Sequence, residues 1–86
     1  MKRIALYGSR LCHDTVETVR LFNTHGISYE YFDINENMDN LRTFLRMRDH
    51  RPEFAAVREG GGIGIPCIIV DNDRFCFKVD NVEEFR

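Results

Sequence analysis

Tryptophan is absent from these 86 residues, and proline occurs only twice. No apolar run comes near the roughly 18 residues that a membrane helix needs, so no membrane association is expected. Cysteine is scarce as well: three residues, an odd number, with no Cys-x-x-Cys spacing. That pattern argues against a secreted disulfide framework and, with no His-x-x-His pair either, against a metal site. Neither sign of charge dominates, because 12 basic and 14 acidic residues leave a formal net charge of −2. A nucleic-acid partner is therefore not expected. Arg42, Arg46, Arg48 and Arg51 are dense locally, but their spacing fits the solvated side of a helix. The start, Met1-Lys2-Arg3-Ile4, lacks the apolar core of a secretory leader, which makes the cytoplasm the default compartment.

What is present is ordinary globular composition, 43% hydrophobic and 30% charged, long enough for one domain over residues 1–86 with a modest core. Ile4 to Tyr7 reads as an apolar strand that breaks at Gly8 and Ser9. From about His13 to His25 the spacing is helical, with Val16, Val19 and Phe22, helped by Leu21, as the buried stripe and Glu17, Thr18 and Arg20 toward water. Gly26 sits where a left-handed C-cap belongs. Ile27 to Ile34 reads as a second strand, and Asn35 to Asn40 as a loop rich in N-cap residues. Leu41, Phe44, Leu45 and Met47 mark a second amphipathic helix, which Pro52 stops. Phe54, Ala55 and Val57 would bury a short third helix ending at Gly60-Gly61-Gly62.

The apolar run Cys67 to Val70 is the best central strand. Asp71 to Arg74 is a turn signal, Phe75 to Phe77 completes a hairpin, and Asp80 to Phe85 would add a helical turn or two. Strand, helix, strand, broken helix, strand, strand and short helix imply a four-stranded mixed α/β sheet covered by helices.

Cys12 is the residue around which chemistry gathers. It stands between the first strand and the first helix, where unpaired amides and the helix dipole favour a negative sulfur and so a nucleophilic thiolate. Thr15, one turn on, is placed to donate its hydroxyl to that sulfur, and a protonated His13 would help stabilise it. The competing reading is a small residue packed at a strand end, since free cysteine behaves as a buried hydrophobe. Cys67 carries a similar ambiguity: it is either a resolving thiol for Cys12 or, by strand alternation, a core residue. Cys76, between two phenylalanines, reads as inert or exposed on the outer side of the sheet. Gly60 to Gly64 is glycine-rich but leads into a proline and a strand and lacks the ending of a phosphate-binding loop.

Cys12-His13-Asp14-Thr15 at the end of strand one, with Tyr7 before it and Ile65-Pro66 just ahead of the third strand, resembles the glutaredoxins of the thioredoxin superfamily. The resemblance covers the element order of nearly the whole chain. It implies a thioredoxin-like fold and a monothiol form of the redox motif, with Thr15 in place of the second cysteine. It also implies a cis bond at Pro66, so that the main chain of Ile65 pairs with the substrate, and places Tyr7, His13 and Arg10 at the substrate site. Arg10 is able to grip a substrate carboxylate. Asp80 and Asn81 stand where the family receives the amino end of glutathione, although both are equally natural N-caps.

Several positions depart from the family pattern. Ser9 stands where the family often has lysine, Gly64 replaces the threonine of the Thr-Val-Pro element, and Phe77-Lys78-Val79 replaces the Gly-Gly before Asp80. A bridged iron–sulfur cluster is not expected, because Cys12 to Thr15 does not match the Cys-Gly-Phe-Ser of cluster-binding members.

The resulting expectation is a monomeric thiol–disulfide oxidoreductase with Cys12 as nucleophile. Its substrates would be mixed disulfides of proteins, with glutathione or another small thiol as co-substrate and no resident cofactor. The alternative is a non-catalytic binding module that keeps the fold and has lost the redox chemistry.

Overall fold

The computed structural model describes residues 2–86. Strand β1 (Ile4–Gly8) leads to helix α1 (His13–Thr24), strand β2 (Glu30–Asp33) and helix α2 (Met38–His50). A 3-10 turn (Pro52–Phe54) runs into helix α3 (Ala55–Glu59). Strands β3 (Cys67–Val70) and β4 (Arg74–Cys76) and a final 3-10 turn (Val82–Phe85) complete the chain. The sheet order is β2-β1-β3-β4, with β1 and β2 parallel and the other two pairings antiparallel.

Alternation along the two inner strands creates a core on each face of the sheet. Ile4 and Leu6 of β1 join Ile68 and Val70 of β3 on one face, packed against Phe22 of α1, Ile27 and Phe85. Cys67 and Ile69 point the other way, with Ala5 and Tyr7, toward Phe44 of α2 and Phe54. All four residues of β3 are buried, as its unbroken apolar run predicts.

Local signals end the helices. Gly26 takes a positive φ of 66°, and the amides of Ile27 and Gly26 bond back to Phe22 and Asn23 at 2.9 and 3.3 Å. That is a Schellman cap, closed by Ile27 packing in the same core as Phe22. The glycine run repeats the arrangement after α3: the Gly62 and Gly61 amides reach the carbonyls of Val57 and Arg58 at 3.0 and 3.2 Å. The β3–β4 hairpin turns on Asp71 and Asn72, both left-handed, a conformation these two side chains tolerate better than most.

Several boundaries differ from the sequence reading. Helix α2 begins at Met38, three residues before Leu41, because the Asn37 side chain accepts the Asn40 amide at 2.8 Å and caps it there. Strand β2 is shorter than residues 27–34, since Ile27 is consumed by the helix cap. The stripe of α1 is Thr15, Thr18 and Phe22, while Val16 is 45% exposed and Leu45 of α2 is also exposed. Thr18 buries its methyl because its hydroxyl donates to the Asp14 carbonyl at 2.8 Å within the helix, leaving no unpaired polar atom.

Candidate functional site

The loop between β1 and α1 is held from below by β2. Asp33, buried at the end of β2, accepts the Arg10 amide at 3.0 Å, the Asn35 amide at 2.8 Å and the Tyr31 hydroxyl at 2.7 Å. Burial opposes its charge, but the Tyr31 hydroxyl and the Asn35 and Arg10 amides outweigh that cost and hold the carboxyl below its ordinary range. Burial and the Asp33 charge push the Tyr31 phenol up in return. Ser9 is buried too. Its hydroxyl donates to the Asn35 side chain and accepts the Leu11 amide at 3.1 Å, while its carbonyl accepts the Cys12 amide at 3.0 Å. Every amide from Arg10 to Cys12 is thereby committed.

Cys12 emerges from this loop as the N-cap residue of α1, half-buried and unpaired. No side chain caps the helix, so the amides of its first turn point toward whatever approaches the sulfur. The sulfur's groove, about 430 Å³, has apolar walls from Leu11, Ile34, Ile63 and Ile65, with Ser9, Asn35 and Gly64 between them. The Ile65–Pro66 peptide is cis. Among the described residues no hydrogen bond engages the main chain of Gly64 or Ile65, which leaves their amide and carbonyl groups unpaired in the groove of Cys12.

Gly64 lies at φ 96° with its missing Cβ position 3.0 Å from the Phe54 ring, so a side chain there would collide with the core. Arg48 of α2 holds the preceding stretch by donating to the carbonyls of Gly62 and Ile63, the latter at 3.0 Å. Arg58 in turn donates to the carbonyl of Arg51 at the end of α2 at 2.9 Å.

The residues expected at the site divide. Cys12 and Ile65 share the groove, Pro66 is buried between it and a neighbouring groove lined by Lys78 and Val79, and His13 is exposed on the first turn of α1. The others do not line that groove. Thr15 is fully buried and its hydroxyl accepts the Ser9 amide at 3.4 Å; it makes no hydrogen bond to the Cys12 sulfur. Its methyl lies where a Gly8 side chain would be, only 2.4 Å from that Cβ position. Tyr7 packs in the core on the α2 face, which also holds Ile34 and Ile65, stacked on Phe32 with centroids 4.8 Å apart, and burial raises its phenol.

Arg10 turns from the groove toward Asp33, 3.7 Å away, and lies over the Tyr31 ring at 5.4 Å. Asn81 caps the last turn by accepting the Glu83 amide at 3.1 Å, and exposed Asp80 pairs with Lys78 at 3.7 Å; neither lines the groove. Cys67 is fully buried beside Tyr7, and burial pushes its thiol up to about 12. It packs as the core residue that strand alternation allows.

Asp33, Ser9, Asn35 and Arg48 were not singled out by sequence reasoning. The one available signal was a carboxylate, Asp33, closing an aromatic strand, a position where a charge has to find partners.

A parallel β1–α1–β2 unit, an antiparallel β3–β4 hairpin and a cysteine at the first helix define a thioredoxin-like α/β protein. A family model described as Glutaredoxin matches residues 4–75, and the chain belongs to the glutaredoxin family. It is also 31% identical over 72 residues, 84% of each chain, to an uncharacterized protein of Haemophilus influenzae.

Proposed function

We propose that the protein is a monothiol thiol–disulfide oxidoreductase of the cytoplasm, acting as a monomer through Cys12 on mixed disulfides between a protein and a small thiol such as glutathione. The observation that carries this reading is the placement of Cys12. It is half-buried at the uncapped end of α1, in the same groove as the unpaired main chain of Ile65.

In the first step the Cys12 thiolate attacks one sulfur of the mixed disulfide. A new S–S bond forms on Cys12, the old one breaks, and the departing thiolate takes a proton from water. The amides of the first turn of α1 favour the negative sulfur, and the Ile65 main chain holds the substrate as a short added strand. With Cys67 buried, the second step falls to a free small thiol, which attacks the disulfide on Cys12 and restores the thiolate. That attack joins the free thiol to the small thiol carried on Cys12 in a new disulfide, so the free thiol is the reductant and the substrate cysteine is released reduced.

The test is turnover of a glutathionylated peptide, with glutathione as reductant, by the wild type and by Cys12→Ser. Turnover that disappears in the variant supports the proposal, whereas equal rates at the uncatalysed level would sink it. A second reading, a binding module without catalysis, draws support from the committed Arg10 and the displaced Asp80 and Asn81; that same null result would favour it.

A further inference from the structure

The Cys12 groove is lined without a single charged side chain. Leu11, next to the cysteine, is 88% exposed, and Ile63 across the groove is 59% exposed. Two large apolar side chains held open to water on either side of a nucleophile form a surface that gains from being covered. The charges that flank the groove do not offset this. They are of both signs: Arg10 lies 3.7 Å from Asp33, Glu36 lines the same hollow, and Asp14, Glu17, Arg20 and Lys78 line the neighbouring groove by Pro66. An extended segment with uncharged, apolar residues would cover Leu11 and Ile63 and use the idle main chain of Gly64 and Ile65.

From this we infer that the groove selects disulfides on a polypeptide whose residues flanking the cysteine are apolar. The inference rests on the exchange reading above and specifies which substrates that site takes. Leu11 and Ile63 are the specificity-determining pair, Ile65 contributes its backbone, and Cys12 performs the exchange on whatever the pair admits.

Two synthetic peptides decide it, each carrying one cysteine disulfide-linked to glutathione, flanked in one by Leu and Val and in the other by Ser and Gln. Neither pair of flanks carries a charge, so the leaving thiol is of the same kind in both. The apolar peptide is expected to show kcat/KM at least about tenfold higher. Leu11→Glu, and separately Ile63→Glu, should erase that preference, with circular dichroism confirming that these surface changes leave the fold intact. Binding of the same sequences with serine for cysteine to the Cys12→Ser chain, read by fluorescence anisotropy, should rank them in the same order.

Equal kcat/KM and equal binding for the two peptides would overturn the groove assignment while leaving exchange standing. A binding preference without any exchange dependent on Cys12 would overturn the exchange reading and leave the groove assigned. A preference unchanged by both glutamates would show that these side chains do not set it.

Discussion

Asp33 carries a charge in a place where charge is costly, and what it gains there is a rigid loop. Its carboxylate ties the Arg10 amide to the end of β2 beneath the Cys12 loop. Because its carboxyl is held below the ordinary range, the stabilisation is present above the unfolded value of about 3.9 and is lost as pH falls through the folded one. Asp33→Asn should therefore cost about 1–3 kcal/mol at neutral pH, and the gap to the wild type should narrow below about pH 4 in urea titrations. The two cysteines at the ends of this story differ in the same physical terms. At neutral pH iodoacetamide should label Cys12 while Cys67, with its thiol at about 12, reacts only once urea opens the fold; peptide mapping separates them. Cys12 was legible because its neighbours in the chain announce a helix start. Cys67 was not, since only the sheet decides which of two faces a strand residue enters.

At the scale of elements, α1 shows how packing overrides an apolar pattern. The periodicity of Val16, Val19 and Phe22 holds for Val19 and Phe22, which pack in the core, but the helix buries Thr15 and Thr18 and leaves Val16 exposed. Thr15 fits because residue 8 has no side chain. Gly8→Ala should destabilise by about 1–3 kcal/mol, and Gly8→Ala with Thr15→Ala should recover part of the loss, a coupling that a double-mutant cycle in urea would measure. Arg48 links α2 to the groove in a comparable way, since its guanidinium holds the carbonyls of Gly62 and Ile63. Arg48→Ala should raise amide hydrogen exchange across residues 61–65 while leaving β1 and β3 protected. An arginine in a dense basic stretch gives no hint of this, because its target lies 14 residues away in sequence.

For the molecule as a whole, two thin cores share one four-stranded sheet, and each must be closed by something. On the α1 face the closure is Phe85, buried against Phe22 with ring centroids 5.3 Å apart, although it lies beyond the residues matched to the family. Phe85→Ala should cost about 3–5 kcal/mol in thermal or urea unfolding, a large fraction of the stability of a chain this small. No helix among the described residues is long and apolar enough to cross a membrane. The element order, the helix ends at Gly26 and Gly61, and the cysteine at the start of α1 were determined by the sequence alone, because each depends on neighbours within a few residues. The face that Tyr7 and Cys67 occupy, the direction of Arg10 and the neutrality of the groove were decided by the tertiary structure. They depend on strand register and on burial, which bring together residues that no short-range pattern relates.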